Sequence, residues 1–421
     1  MKKQIRVLLA FMVSGVVLTS CTTREVSCTL KGRIHNRNSD TLILKRATDD
    51  PRFNQVLIPV RDSAFECTIQ ISHPEAYELI FKEELERGSW RPVLFIAEKG
   101  EISFDLYSNP DENKITGRNL NSVLAEYNKE FLGMFRPKAD PLNDSIDALF
   151  QKNEYFSAEM KLLQSELANA GDNESRMALR EKMEDLRSTG NDLSPRAKDL
   201  TRQGDSLRAE ATRWRYKYIE ENPSIVSYYF LLNDLRYLES SQASIKEIKS
   251  LYPVFAGRYP KHAYTEIMRS MLEGYDAIKV GGSFIDFSLP DLDGTVHRLS
   301  DIIGGKYALI DLWASWCGPC IATSRSMIPV YEEFRDRGFT VCGVAAEIDN
   351  TDQMRARIEK EKFPWINLVE LDHKNHIWDK YGVSNSGGGT FLMDNEGTIL
   401  AINPDAEKVR EILSEKLKQT F

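Results

Sequence analysis

The spacing of hydrophobic and polar positions changes twice along the chain. Between about Ser27 and Thr116, apolar and polar residues alternate in short runs separated by Asn, Asp, Gly and Pro. A period of two is typical of strands with one buried face, and these turn residues favour breaks between strands. The pattern predicts an antiparallel β domain, a sheet or a sandwich, over residues 21–117. The runs are CTLKGRI, TLILKR, QVLIPV, AFECTIQI, AYELIF, RPVLFIA and EISFDL.

From residue 118 to about 278 the spacing becomes helical. One apolar stripe advances in alternating steps of four and three residues and ends at Asn222-Pro223, which predicts a long helix. Its members are Leu193, Ala197, Leu200, Gly204, Leu207, Ala211, Trp214 and Tyr218. A second charged stretch, 155–186, is also helical but is broken around 170–173. Packing helices are the simpler interpretation of this region, and a partner-binding coiled coil is the alternative.

The last third of the chain alternates between strand and helix patterns. After a linker at Lys279–Gly282, we expect strands at 308–312 and 340–346, with helices after Cys317 and at 352–361. A hairpin over 390–394 and 398–402 and a final helix over 406–418 follow. This order predicts an α/β domain on a mixed sheet over residues 279–421.

Composition and charge limit the classes of function. The chain is 42% hydrophobic and 28% charged, which is ordinary for globular proteins, and its length allows two or three domains. The formal net charge is -8 and the sequence pI is about 5.5. Because phosphate recognition requires a basic face, we expect no nucleic-acid partner.

The N-terminus has the pattern of an export signal. Basic residues at the start are followed by an apolar run from Val7 to Leu18 and by small residues before Cys21. The run is short for a membrane span and matches a secretory signal over residues 1–20. Residues 18–21, Leu-Thr-Ser-Cys, resemble the lipobox of bacterial lipoproteins, which implies that Cys21 is lipidated and anchors the mature chain. An ordinary signal peptide with an incidental cysteine is the alternative.

The chain has six cysteines, and an oxidising envelope would change what they do. Cys28 and Cys67 both lie on the inward faces of predicted strands. Buried free thiols are the simpler interpretation, and a disulfide between the two strands is the alternative. Cys342 lies in a predicted strand as a core thiol.

The segment Cys317-Gly318-Pro319-Cys320 carries the most specific signal. A preceding strand and a following helix favour a redox pair over half a zinc site, because no second cysteine pair follows at zinc spacing. Cys317 at the helix start is favoured as a thiolate, and Cys320, one turn later, is expected to be the more buried. Asp311 on the preceding strand is expected to be buried and to accept a proton from Cys320. A water-facing aspartate is the alternative.

Residues 308–320, together with FSLPDLDGTVHRLSD before them, resemble the TlpA/ResA-like branch of the thioredoxin superfamily. The resemblance covers about 279–421 and implies Asp311 as the buried acid, Cys317 as the nucleophile and Cys320 as the resolving cysteine, with Trp316 beside them. The two preceding regions are similar to those found before thioredoxin domains in Gram-negative envelope lipoproteins. No cofactor or metal is implied.

Two positions depart from this family. Thr323 replaces the glutamate that ResA-like proteins commonly carry three residues after the second cysteine. The cis-proline position falls on Gly388 or Gly389. Because a cis bond without proline costs about 3 kcal/mol, we expect a trans loop, with substrate docking through Trp316, Gly388, Gly389 and Thr390.

The sequence thus predicts an envelope thiol-disulfide oxidoreductase. Because the dipeptide between the cysteines, Gly-Pro, is that of reducing thioredoxins, we expect the protein to act as a reductase. The resemblance implies disulfide-bearing envelope proteins as substrates and a membrane electron donor such as a DsbD-like reductase. One alternative is an anchored scaffold lipoprotein with an inactive redox domain. The other is a peroxiredoxin-like thiol peroxidase, although Ala314 stands where those enzymes carry a threonine.

Overall fold

The computed structural model describes residues 25–50, 55–238, 243–383 and 387–417. Within them the chain forms a β-rich part, a helical part and an α/β part, in the order that the sequence predicts. The predicted signal peptide 1–20 and lipidation site Cys21 lie outside the described residues. In the described ranges, no helix is both long enough and apolar enough to cross a membrane.

The β-rich part is a sandwich of two four-stranded sheets with the orders β4-β1-β7-β8 and β3-β2-β5-β6. Neighbouring strands are antiparallel except β1 and β7, which are parallel. Side chains of both sheets, among them Leu30, Leu44 and Phe95, form one core, because alternate residues of each strand face the other sheet. The elements are β1 Val26–His35, β2 Thr41–Arg46, β3 Val56–Pro59, β4 Ala64–Ile71, β5 Glu75–Phe81, α1 Lys82–Glu86, β6 Val93–Ala97, β7 Gly100–Tyr107 and β8 Lys114–Thr116.

The helical part confirms the predicted long helix and the predicted break, but the second half of that helix buries Thr212, Tyr216 and Ile219 rather than residues of the predicted stripe. Helix α5 starts where the Ser194 hydroxyl accepts a hydrogen bond from the Ala197 amide, and it ends before Asn222. The charged stretch is divided into two helices, because Asp172 caps a new helix after the break. The helices are α2 Asn119–Gln151, α3 Ala158–Asn169, α4 Asn173–Ser188, α5 Pro195–Glu221, α6 Ile225–Arg236, α7 Ile245–Arg258 and α8 Ala263–Ala277.

The α/β part is built on a five-stranded mixed sheet with the order β13-β12-β11-β14-β15. β11 is central: it is parallel to β12 and antiparallel to β14. The elements are β9 Ser288–Pro290, β10 Val296–Arg298, α9 Leu299–Ile303, β11 Tyr307–Trp313, α10 Gly318–Phe334, β12 Phe339–Glu347, α11 Asp352–Glu361, β13 Ile366–Leu371, α12 Ile377–Lys380, β14 Gly389–Met393, β15 Ile399–Ile402 and α13 Ala406–Lys416.

Backbone contacts join the three parts. The Ala76 amide on β5 donates to the Tyr264 hydroxyl on α8 at 2.7 Å. At the other end of α8, Gly274 lies directly against the carbonyl of Lys380 at the end of α12, and a Cβ atom at Gly274 would overlap that carbonyl. Glycine is therefore required where the helical and α/β parts meet.

The cysteines of the β-rich part are both free thiols. Cys28 is fully buried, whereas Cys67 is half-buried. The two lie on paired strands in diagonal positions, since Cys28 is opposite Ile69 and Cys67 is opposite Leu30. The structure therefore has free thiols at Cys28 and Cys67 and no disulfide between the two strands. Cys342 is also a buried free thiol.

Candidate active site

A cleft of about 520 Å³ opens between the start of α10 and the loop before β14. It is lined by every predicted site residue that the structure describes: Asp311, Trp316, Cys317, Cys320, Gly388, Gly389 and Thr390. They converge because β11 ends beside α10 while the antiparallel β14 returns next to β11.

Cys317 and Cys320 are joined by a disulfide with their Cα atoms 5.3 Å apart. Cys317 is the N-cap residue of α10, and its Sγ accepts a hydrogen bond from the Cys320 amide at 3.3 Å. Pro319 lies in the first turn, where a missing N–H costs no helical hydrogen bond. When the pair is reduced, this helix start stabilises a thiolate on Cys317.

Burial does not distinguish the two cysteines in this oxidised state. Cys317 is 5% exposed and Cys320 is 8% exposed, so the expectation that Cys320 is the more buried was wrong for the disulfide form. The bond holds both sulfur atoms at the same wall of the cleft. The difference between them is instead their position on the helix, since only Cys317 has its Sγ at the capping position.

Asp311 on β11 lines the same cleft as the cysteine pair and is buried, with only 2% of its surface exposed. Loss of hydration raises the pKa of its carboxyl to about 7, and a hydrogen bond from Ser324 opposes that rise. The water-facing alternative is therefore wrong. A carboxyl with this pKa exchanges its proton near neutral pH, as an acid or base in thiol exchange requires.

The backbone of the glycine loop, residues 387–389, approaches the disulfide. Among the described residues no peptide bond is cis, so the bonds from Gly387 to Thr390 are trans, as expected. A Cβ atom at Gly388 would overlap the carbonyl oxygen of Leu312 and would lie 2.8 Å from the Sγ of Cys320. Gly388 is therefore the residue that allows the loop to close over the second cysteine.

Gly388→Ala is expected to destabilise the protein by about 1–3 kcal/mol, because the new methyl group overlaps main-chain atoms of β11. Gly387→Ala is the matched control, since no atom lies within 4 Å of a Cβ at Gly387. Urea unfolding of both variants measures the difference. Equal stabilities would contradict the close packing of Gly388.

Other residues hold the site in place and were not predicted. The buried carboxylate of Glu347, at the end of β12, accepts hydrogen bonds from the amide and hydroxyl of Ser315 at 2.8 and 2.7 Å. These bonds fix the turn that leads into Cys317. An acidic residue closing the apolar run of β12 was the available signal, because neighbouring parallel strands end at the same edge.

The glycine loop is also held from its two ends. Trp378 on α12 donates through Nε1 to the carbonyl of Gly387 at 3.2 Å. The side chain of Asn403 accepts from the amide of Thr390 at 3.0 Å. Neither residue has a sequence signal, because each bond joins segments that only the fold brings together.

In the described ranges, no three His, Cys, Asp or Glu residues are grouped to hold a metal ion. His373 lies in the turn after β13, and His376 caps α12 while its Nδ1 contacts the Asp379 carboxylate at 2.9 Å. Thr323 lines the cleft and offers a hydroxyl in place of the glutamate of ResA-like proteins.

Comparisons with known proteins agree with this geometry. Residues 280–402 match the model of the AhpC/TSA family. The thiol-disulfide oxidoreductase ResA of Geobacillus thermodenitrificans is 30% identical over 128 residues, which cover 30% of this chain and 70% of that protein. The thiol:disulfide interchange protein DsbE of Allochromatium vinosum is 32% identical over 117 residues, or 27% of this chain and 60% of that protein.

A solved structure of the thioredoxin domain of a thiol-disulfide oxidoreductase from Bacteroides vulgatus is also similar. It is 24% identical and covers 34% of this chain and 99% of that domain, with a TM-score of 0.31. The AhpC/TSA match over residues 280–402 contains the cysteine pair, Asp311 and the glycine loop. Because ResA of Geobacillus thermodenitrificans is 30% identical and is covered over 70% of its length, the chain belongs to the ResA-like thiol-disulfide oxidoreductases.

Proposed function

We propose that the protein is an envelope disulfide reductase, with Cys317 as the nucleophile, Cys320 as the resolving cysteine and Asp311 as the proton acceptor. One observation carries the proposal. The Cys317–Cys320 pair lies at a helix start, in an open cleft, above a buried carboxyl with a pKa of about 7. These are the three requirements of thiol-disulfide exchange: a stabilised thiolate, access for a protein disulfide and a proton acceptor.

The reaction starts from the reduced pair. The Cys317 thiolate attacks one sulfur of the substrate disulfide, a mixed disulfide forms, and the other substrate sulfur leaves as a thiolate that takes a proton from solvent. Cys320 gives its proton to Asp311 and attacks the Sγ of Cys317. The second substrate thiolate then leaves. Two electrons have passed to the substrate, and the enzyme holds the Cys317–Cys320 disulfide described above.

The direction of this exchange is part of the proposal. Gly318 and Pro319 form the dipeptide of reducing thioredoxins, and their lack of charged side chains leaves the thiolate stabilised mainly by the helix start. A less stabilised thiolate makes the dithiol a better reductant. Each turnover leaves a disulfide, so a membrane electron donor such as a DsbD-like reductase must reduce the pair again.

We further propose that residues 1–20 are an export signal and that Cys21 carries the lipid anchor. The mature parts are then 21–117, 118–278 and 279–421, and the last of these faces the periplasm. Substrates dock along Trp316 and the segment from Gly388 to Thr390, which line the cleft together with the cysteine pair. Removal of the signal takes away three positive charges and leaves an acidic protein, so the lipid must hold it at the membrane.

The Cys320→Ser variant tests the function. Without the resolving thiol, the mixed disulfide on Cys317 cannot be released, so envelope proteins are expected to remain covalently attached. The measurement is purification of the variant from cells under non-reducing conditions, followed by mass spectrometry of the proteins that dithiothreitol releases. The double variant Cys317→Ser/Cys320→Ser is the control for contaminants.

The two alternatives give other results in matched assays. A thiol peroxidase would oxidise its dithiol with a peroxide, yielding an alcohol and water, so rapid peroxide consumption would favour it. A scaffold would release no partner with dithiothreitol and would reduce no disulfide. Recovery of the same proteins from the single and double variants would contradict the reductase proposal.

A further inference from the structure

Ser324 lies one turn after Cys320 on α10 and has no exposed surface. Its hydroxyl donates to Oδ2 of Asp311 at 2.6 Å and lies 3.0 Å from the carbonyl oxygen of Cys320. A hydroxyl carries one hydrogen and therefore serves one of these acceptors well at a time. The shorter contact, to the carboxyl, is typical of an ionised acceptor.

Protonation of Asp311 changes which groups donate. The protonated carboxyl has an O–H that can donate to Ser324, because the hydroxyl oxygen also accepts hydrogen bonds. The hydrogen of Ser324 is then free to turn to the carbonyl of Cys320. Asp311 thus keeps a hydrogen bond with Ser324 in both protonation states, which helps a buried carboxyl to gain and lose a proton.

We propose that Ser324 is a positioning residue that sets the pH at which Asp311 accepts the proton of Cys320, by reversing its hydrogen bond when the carboxyl is protonated. The proposal rests on the proposed function, in which Asp311 is the proton acceptor of the resolving step. The balance of that step is unchanged: the proton moves from the Cys320 thiol to Asp311, the Cys320–Cys317 bond forms, and the electron pair of the broken mixed disulfide leaves with the substrate sulfur. Ser324 touches neither reacting sulfur in this role and acts through Asp311.

The titration of Asp311 can be distinguished from the titrations of the groups around it. These groups are Cys317 and Cys320 on α10, Cys342 on β12 and the exposed Asp405, which also lines the cleft, whereas β14 contributes Thr390, which does not titrate. Burial raises the pKa of the Cys342 thiol to about 12, so that thiol stays protonated near neutral pH. In the disulfide form, Cys317 and Cys320 do not titrate at all.

The test is therefore a titration of the oxidised full-length protein. Carboxyl carbons are observed by NMR after selective aspartate labelling, and the Asp311 signal is assigned by its absence in Asp311→Asn. In Ser324→Ala the midpoint is expected about one pH unit higher, because the variant lacks the hydrogen bond that stabilises the carboxylate. Ser326→Ala is the matched control, since Ser326 on the exposed face of α10 bonds only the carbonyl of Thr323, at 2.7 Å.

A second readout is the pH profile of insulin-disulfide reduction. Its acidic limb is expected to move to higher pH in Ser324→Ala and to stay in place in Ser326→Ala. An unmoved NMR midpoint in Ser324→Ala would overturn the proposal, and so would a rate that falls equally at all pH values with an unmoved profile. A shifted midpoint in a protein that reduces no disulfide in any form would support the Ser324–Asp311 coupling while contradicting the proposed function.

Discussion

Cys317→Ser is expected to reduce insulin disulfides no faster than dithiothreitol alone does. Thiol-disulfide exchange proceeds through a thiolate, and a serine hydroxyl stays protonated and attacks sulfur too weakly to replace it. Cys320 remains in this variant, but it lies inside the helix and lacks the capping position that stabilises a thiolate. The measurement is the rate of insulin precipitation with the full-length protein as catalyst.

Cys67→Ser is the matched control for the loss of a thiol. Cys67 is a half-buried free cysteine of the β-rich part, and no atom of it lines the cleft. This control is expected to keep the wild-type rate. If Cys317→Ser also kept it, the enzyme would act through another group, and the proposed mechanism would be wrong.

Asp311→Asn is expected to make the protein more stable than the wild type above pH 7, by up to about 4 kcal/mol. The pKa of an unfolded aspartate is about 3.9, and burial raises that of Asp311 to about 7. Between these pH values the folded state holds the proton and the unfolded state does not. The unfolding free energy of the wild type therefore falls, relative to the variant, as pH rises from about 4 to 7.

The measurement is urea unfolding of the oxidised proteins between about pH 4.5 and 8.5, followed by tryptophan fluorescence. Four of the six tryptophans lie after residue 279, so the signal reports mainly the α/β part. Any pH-independent change in unfolding free energy caused by the asparagine amide adds a constant, so it does not affect the slope when the difference in unfolding free energy between the proteins is plotted against pH. Asp336→Asn, which removes an exposed carboxylate, shows the effect of charge alone. A curve for Asp311→Asn no steeper than this control would mean that Asp311 does not hold a proton in the folded protein.

Local patterns in the sequence predicted most of the secondary structure. Helix α11 has the predicted bounds, Asp352–Glu361, and all seven β runs form strands. Strand β13 was missed because Asn367 and Glu370 interrupt its apolar residues. The fold buries both of these polar groups, and Asn367 accepts a hydrogen bond from the Trp313 indole at 3.1 Å. Such compensation between distant segments leaves no periodic signal.

In the candidate site, too, local patterns predicted some residues and missed those that only the fold brings together. The cysteine pair and Asp311 could be predicted because a strand, a turn and a helix follow one another in the sequence. Ser315, Ser324 and Trp378 could not be predicted, because their hydrogen-bond partners Glu347, Asp311 and Gly387 lie in other elements. The relative burial of the two cysteines also depended on a covalent bond between them, which changes how each sulfur is packed.

The backbone contact of Gly274 with Lys380 affects how the redox chemistry should be assayed. Helix α12, which meets α8 through this contact, also carries the Trp378 indole that holds the carbonyl of Gly387. A recombinant fragment cut at residue 279 would contain both cysteines but would expose this face of α12 to water. A reduction potential measured on such a fragment would describe a cleft whose supporting helix α12 has lost its contact with α8, so the full-length chain is the proper unit for that titration.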